Sequence, residues 1–530
     1  MTQSAKSVAR GISVLGITGI VCKLVGVLYS IPLARILGDK GLGLFQTVFP
    51  TYNLLLTLSS AGLPVAVSRM VAHCLARQDP RNARRVFRVA LELLSSIGGL
   101  FTLLMLVSNG LLVRLVGVEE ASAGFYTIAP CVALVCALSA FRGFIQGQQN
   151  MVPTAISQLI EQVGKVAVSL PLAAFGMRQS MALGAAYALL GITIVEALAL
   201  AYMIVLYFIR RPRFAALPQD PAAPPLERNT LLRRLVMISI PITISACIIP
   251  LAQFIDSALM VNRMVSSGLD RDTATSLYGI FSGMVIRLIN IPTALALAIS
   301  MSLVPAISAA KAVEDHDAIR RESNTGIRYA FLIGFPCSVG MSLLAKEILG
   351  FFYLETLSAE RLQTAAELLT FSAMTVVLFT VVQATSSILQ GLHRQTLPMY
   401  TMITGVACKI VLNYVLIGTP GINIHGGPIA SIVCYSVSMI PNLYFCCKHG
   451  NMSFNWSGWL LRPGAAALAM GLVVFLCKSL LPFSRLSTIL EIVVGVAVYL
   501  GAAFLVKALT KEDLNALLRR RKRRMPEGRN

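Results

Sequence analysis

The chain has 530 residues, of which 56% are hydrophobic and only 13% charged, with a mean hydropathy of +0.74. Soluble domains carry about 25% charged residues, so a water-soluble globule is excluded. The apolar runs are also far longer than the roughly 10-residue alternating strands of a membrane β-barrel. A net charge of +21 would suit a nucleic-acid binder, but the Lys and Arg residues gather in the connections on one side of the apolar runs. That is the positive-inside signature of a membrane protein, and no nucleic-acid partner is read from it.

In chain order, apolar segments of spanning length fall at 11–34, 43–70, 87–112, 124–147, 152–174 and 181–208. The opening MTQSAKSVAR leads straight into the first span with no small-residue cleavage site, so no removable signal peptide is expected. A Pro-dense connection, 209–234, follows as an extended linker. Six more spans lie at 235–260, 276–309, 327–352, 363–389, 397–417 and 424–446, and a final pair at 459–481 and 486–508. Basic connections such as HCLARQDPRNARRVFR place both termini on the cytoplasmic side of a bacterial membrane.

The expected fold class is therefore all-α, a polytopic membrane protein of about 14 transmembrane helices. Its domains are an N-lobe (1–208), the linker (209–234), a C-lobe (235–449), a terminal helix pair (450–510) and a basic tail (511–530). The tail RRRKRR, Arg519 to Arg524, reads as a juxtamembrane anchor for anionic lipids. The eleven Cys lie scattered in apolar runs without metal-ligand spacing and read as reduced packing residues.

The two lobes carry a repeat. FIQGQQNMVPTAISQLIEQVGKV and ILQGLHRQTLPMYTMITGVACKIV share a Gln-Gly pair, a polar turn, a Pro opening an apolar helix, and a Lys nineteen residues after the Gln. Gln146 to Lys165 and Gln390 to Lys409 are thus one element used twice, 244 positions apart. A second pair, LPVAVSRMVA with Arg88 downstream and VPAISAAKAV with Arg328 downstream, recurs at about 240. Such duplication marks two pseudo-symmetric six-helix lobes of a transporter.

A charge at mid-bilayer costs about 2.5–3.5 kcal/mol on insertion scales, so each needs a partner, a wet cavity or a ligand. Lys23, Lys165 and Lys409 lie near the middle of their spans and Arg287 within span eight; the acids are Glu161, Glu196 and Asp256. Glu92, Glu367 and Lys478 stand close enough to span ends to snorkel. Glu161 and Lys165 are four apart with the acid first, the favourable order for an intrahelical ion pair, which would make Lys165 scaffolding. Lys409 has Gly405 at the matching place. Glu196 is either a protonated core residue or a coupling group. Arg287 has no acid three or four positions away. If these basic groups face one cavity it would attract a phosphate-bearing anion and repel a cationic drug. No phosphate loop, HExxH or Cys-rich cluster is present. An enzyme is not expected, nor a cofactor or metal, and transport would draw on an ion gradient, the membrane potential or the substrate gradient.

GDKGLGLFQTVFP, AGLPVAVSRMVA and above all FRGFIQGQQNMVPTAISQLIEQVGKV resemble the stage V sporulation protein B group. Its relatives are the MurJ-type lipid II flippases of the multidrug/oligosaccharidyl-lipid/polysaccharide exporter superfamily. RLINIPTALALAISMSLVPAIS resembles their segment with a required cavity arginine, which puts Arg287 in that role, and Lys23 in CKLVGV matches another cavity arginine. The chain departs from Gram-negative flippases at Tyr29, where they have arginine, at Asn290, where they have an acid, and in span two, which lacks their arginine within NLLLTLSS.

The resemblance implies alternating access around a central site, with the last two spans forming a groove for a lipid tail. It implies export of an undecaprenyl-diphosphate-linked saccharide, foremost the peptidoglycan precursor lipid II. Arg287, Lys23 and Lys409 would hold the diphosphate with Lys165 joining them, and Glu161, Glu196 and Asp256 are candidates for coupling to a monovalent ion. Two rivals stay open. One is a cation-coupled multidrug antiporter, which would need an acidic cavity. The other is a non-transporting membrane scaffold for cell-wall or spore-envelope assembly, which would tolerate loss of the cavity charges.

Overall fold

A computed structural model describes residues 3–215 and 226–509, helical throughout with no strand among the described residues. The N-terminal half runs α1 (Gln3–Ser60), α2 (Leu63–Ala76), α3 (Pro80–Val107), α4 (Asn109–Val116), α5 (Ser122–Gly147), α6 (Val152–Gly164), α7 (Leu170–Met177) and α8 (Met181–Ala215). Then come α9 (Arg228–Ser266), α10 (Arg271–Tyr278), α11 (Ile286–Ala312), α12 (His316–Leu343), α13 (Ala345–Tyr353), α14 (Ala359–Gly391), α15 (Thr396–Ile417) and α16 (Gly426–His449). The last pair is α17 (Arg462–Leu480) and α18 (Arg485–Leu505). Short π-helical turns at Lys165–Ser169, Gly279–Val285 and Trp456–Leu461 join α6 to α7, α10 to α11, and lead into α17. The basic tail lies outside the described residues, as does part of the linker.

Thirteen stretches among the described residues are long and apolar enough to span a membrane. The first, Leu28–Ala76, is 49 residues, roughly 74 Å at the α-helical rise against about 30 Å of hydrocarbon. One span cannot use that length. The chain kinks at Gly38, whose φ of 66° and ψ of −172° suit a residue without a Cβ. The kink falls between expected spans one and two.

Contacts divide the chain into two compact units, Met1–Leu288 with Ile410–Gly427, and Ile289–Lys409 with Pro428–Asn530. These compact units do not coincide with the lobes drawn from the repeat, since α9 and α10 belong with the first unit.

Apolar helices in lipid have no water to expel between them, so close packing holds them together. In the first unit Phe87 of α3 packs its ring 5.1 Å from Phe141 and 4.7 Å from Phe144 of α5, and 5.0 Å from Tyr207 of α8. In the second unit a core of Phe331, Ile388, Leu389 and Cys446 is closed by Trp459, which is 1% exposed. The terminal pair docks on α12 through Met470, Val474 and Tyr499, whose hydroxyl donates to the Leu332 carbonyl at 2.6 Å.

The repeat is visible in matching local geometry. Gln149 and His393 both take left-handed φ, 61° and 60°, and their amides bond to the Gln146 and Gln390 carbonyls at 2.9 and 3.0 Å. A Cβ on Gly147 would meet the Ser68 carbonyl and Val71, and one on Gly391 would meet Val304 and Ile307. The second motif pair needs a correction. Gln78 and Glu314 (φ 56° and 55°), the helix caps Asp79 and Asp315, and the tightly packed Gly98 and Gly334 all recur at an offset of 236. Arg88 therefore corresponds to Asn324, one turn away from Arg328.

Candidate functional site

The first unit holds a polar network inside its apolar bundle. α5 and α6 form a helical hairpin that brings Arg142 and Glu161 together across it. The Arg142 Nη2 forms an ion pair with Glu161 Oε1, and its Nε donates to Ser157 Oγ at 3.0 Å. Glu196 of α8, 5% exposed, lies in the electrostatic field of Glu161, Lys165 and Arg142, and its Oε2 has no hydrogen-bond partner among the described residues. Cys22 of α1 borders the network, with its Sγ 3.8 Å from the Gln158 carbonyl.

This arrangement overturns the intrahelical pairing of Glu161 with Lys165, because the acid is held by Arg142 across the hairpin. Among the described residues Lys165 forms no ion pair. It opens the π-helical turn Lys165–Ser169, just ahead of Pro171. Proline cannot donate to the carbonyl four residues back and its ring crowds that carbonyl, so the wider five-residue turn relieves the conflict, and such turns recur at functional sites. At the end of the turn Ser169 Oγ donates to the Ala188 carbonyl at 2.7 Å and lies 2.8 Å from the Tyr29 hydroxyl. Tyr29 thus serves a packed hydrogen-bond chain.

Arg287 follows the second π-helical turn. Its Nη2 lies 3.5 Å from Gln46 Oε1, and Gln46 in turn donates through Nε2 to the Ser282 carbonyl at 3.0 Å. Gln46, 3% exposed, was not singled out by the sequence reading; an amide in an otherwise apolar segment was the available signal. Asp256 accepts from Asn413 Nδ2 at 2.8 Å, and the hydroxyl of Tyr278 feels both Asp256 and Arg287. Lys409 lies half-buried on α15 in the second unit. Lys23 sits on α1, with its side chain outside the described set. The predicted residues therefore separate into an Arg142–Glu161–Glu196–Lys165 network and an Arg287–Gln46–Tyr278–Asp256 network. Arg142, absent from the predicted set, is central to the first. Its signal was a guanidinium inside an otherwise apolar expected span, 124–147.

One snorkelling expectation also changes. Lys478 turns inward, donating to the Leu343 carbonyl at 2.8 Å and pairing with Glu347 at 3.1 Å. Glu491 of α18, which the sequence reading passed over, is 2% exposed beside this pair. Together they fasten the terminal helices to α12 and α13. Glu92 instead keeps to the surface, paired with Arg228 at 3.1 Å.

Residues 8–311 match the family model described as polysaccharide biosynthesis protein, and residues 241–415 match that of MatE. The lipid II flippase MurJ of Bacillus subtilis is 25% identical over 466 residues, 84% of this chain and 83% of that protein. Stage V sporulation protein B of the same organism is 25% identical over 424 residues, 80% of each chain. A solved structure of lipid II flippase MurJ in an inward closed conformation superposes with a TM-score of 0.70 at 13% identity, covering 92% of this chain and 97% of that one, a likeness of fold.

Proposed function

This chain belongs to the polysaccharide biosynthesis protein family, flippases and transporters of the wider exporter superfamily, and on that premise we propose that it exports an undecaprenyl-diphosphate-linked saccharide, foremost lipid II. The observation that supports this reading is Lys165. It is a cation at a π-helical break within a membrane helix, and with Glu161 held by Arg142 it is left to act on another anion. A diphosphate is dianionic or more and accepts several charge-assisted hydrogen bonds, which suits a carrier presenting Lys165 and Arg287, with Lys23 a further candidate cation. The basic connections place both termini in the cytoplasm, and the carrier works by alternating access.

The test follows from the permanent charge of Arg287. In a strain depleted of its own flippase, Arg287→Ala abolishes lipid II exposure at the outer face while protein level holds; normal exposure would remove Arg287 from the site.

A second reading keeps one observation of its own. Glu196, buried with an unpartnered oxygen beside Glu161, is the kind of group a cation-coupled antiporter loads and unloads, as is Asp256 next to Asn413. In a flippase the same groups serve coupling to a proton or another monovalent ion. Dye-efflux sensitivity of Glu196→Gln with unchanged wall synthesis would favour the antiporter, and the reverse pattern favours the flippase.

A further inference from the structure

The first unit carries a basic cleft that neither network above uses. It opens where the start of α3, the turn after α5 and the end of α8 come together, a shallow cleft open to its surroundings. Arg84, Arg210, Arg211 and Gln148 line it with the rings of Phe144 and Phe214, and no carboxylate does among the described residues.

Arg84 is the informative side chain. Its guanidinium lies 5.3 Å from the centroid of the Phe214 ring, and that ring is braced by Phe144 at 5.2 Å. Stacking on an aromatic face fixes the plane of the guanidinium. Both its Nε and its Nη2 are buried and have no acceptor among the described residues. Those two N–H groups form one edge of the guanidinium, the two-pronged edge that grips two oxygens of a phosphate side by side. A charged donor left buried without an acceptor is costly, so a pre-oriented empty fork beside two further arginines calls for an anion. Arg210 is half-buried and Arg211 exposed, placing two more permanent charges at the mouth. Three positive groups suit a tetrahedral phosphate, whose several oxygens can be shared among them, better than a single planar carboxylate.

We propose that this cleft is a binding site for a phosphate group, with Arg84 as the bidentate anchor, Arg210 and Arg211 as the flanking charges, and Gln148 as a neutral donor. The phosphate can be the headgroup of an anionic membrane lipid or a soluble phosphate, and the two sources are separable. The full-length protein in a neutral, phosphate-free detergent is followed by thermal unfolding. Phosphatidylglycerol is added in one arm, with dioleoylglycerol as its phosphate-free control. Inorganic phosphate is added in the other, with chloride at matched ionic strength. A ligand that binds only the folded form raises the melting temperature as its concentration passes its Kd.

A rise with phosphatidylglycerol alone identifies a lipid headgroup, and a rise with inorganic phosphate identifies a soluble ligand; either supports the site if it depends on these arginines. Arg84→Gln is expected to weaken the response about tenfold in apparent Kd, the order of one charge-assisted fork. Should Arg84→Gln fail to fold, Arg210→Gln with Arg211→Gln, at the accessible mouth, gives the same readout. No rise in the wild type with either probe overturns the proposal, as does a rise that both sets of variants retain in full.

Discussion

The two copies of the hairpin, α5–α6 and α14–α15, share a backbone and differ in chemistry. Their turns place left-handed residues at Gln149 and His393, and their glycines, Gly147 and Gly391, meet α2 and α11 in the same way. At the 244-residue offset, however, Arg142, Ser157 and Glu161 of the first copy become Ser386, Thr401 and Gly405 of the second. The first copy is wired by charge. The second is wired by neutral groups, with Thr401 donating to Asn442 Oδ1 at 2.8 Å and Ser438 to the Thr401 carbonyl at 3.1 Å. The reason for the missing acid is steric. A Cβ on Gly405 would sit 2.5 Å from the Cys434 carbonyl and from Ser438 Oγ, so α16 packs where a Glu would need room. Duplication preserved the frame and let the two interiors diverge: in the first copy Lys165 stands within a charged cluster, while the second copy carries Ser386, Thr401 and Gly405 at the matching places.

The largest test of this comparison is Arg142→Ala against Ser386→Ala. Removing Arg142 takes from Glu161 its ion-pair partner, and breaking such a buried pair costs about 3–5 kcal/mol, so a large drop in melting temperature and in folded yield is expected. Ser386→Ala loses one long contact, from Asn442 at 3.5 Å, and should stay within about 0.5 kcal/mol. Equal losses would mean that the charged wiring carries no special weight. A middle-sized effect is expected of Gly405→Ala, which forces α15 away from α16 at a cost of about 1–3 kcal/mol, while Gly99→Ala, with open space at its Cβ, should be neutral or mildly stabilising in thermal unfolding. The smallest effect concerns what the halves share. Asp79 caps α3 by accepting from Asn82 N at 2.9 Å, and Asp315 caps α12 by accepting from Ala318 N at 2.8 Å. Asp79→Ala and Asp315→Ala should each cost about 1 kcal/mol and match one another; a marked difference between them would break the structural equivalence of these two positions.

Much of the frame could be read from the sequence because it rests on local signals. Long apolar runs, basic connections and a doubled Gln-Gly turn report the spans and the duplication directly. The kink at Gly38 falls inside one long helix, α1, between two expected spans. The site was less legible because its partners come from different helices. Spacing along α6 favoured Glu161 with Lys165, whereas the fold brings Arg142 across the hairpin and gives Glu161 a stronger, guanidinium partner. The π-helical turns leave no simple period in the sequence, although Pro171 was a hint of the first. The second motif pair was misplaced by one turn because small and apolar residues recur at helical spacing and tolerate several registers. Glu491 and Gln46 were passed over, one near a span end and the other an uncharged amide.

The central claim is that the charged first copy supplies a working cation, Lys165, to the translocation of a lipid-linked diphosphate. Its most direct measurement is translocation of lipid II by the purified protein in vesicles, comparing wild type with Lys165→Gln at matched reconstitution, with and without a membrane potential. A charge-assisted hydrogen bond to phosphate is worth about 1.5–3 kcal/mol, so the account predicts a rate lowered by roughly 10- to 100-fold in Lys165→Gln under both conditions, with the fold intact. Wild-type translocation that Lys165→Gln reproduces in full would contradict it.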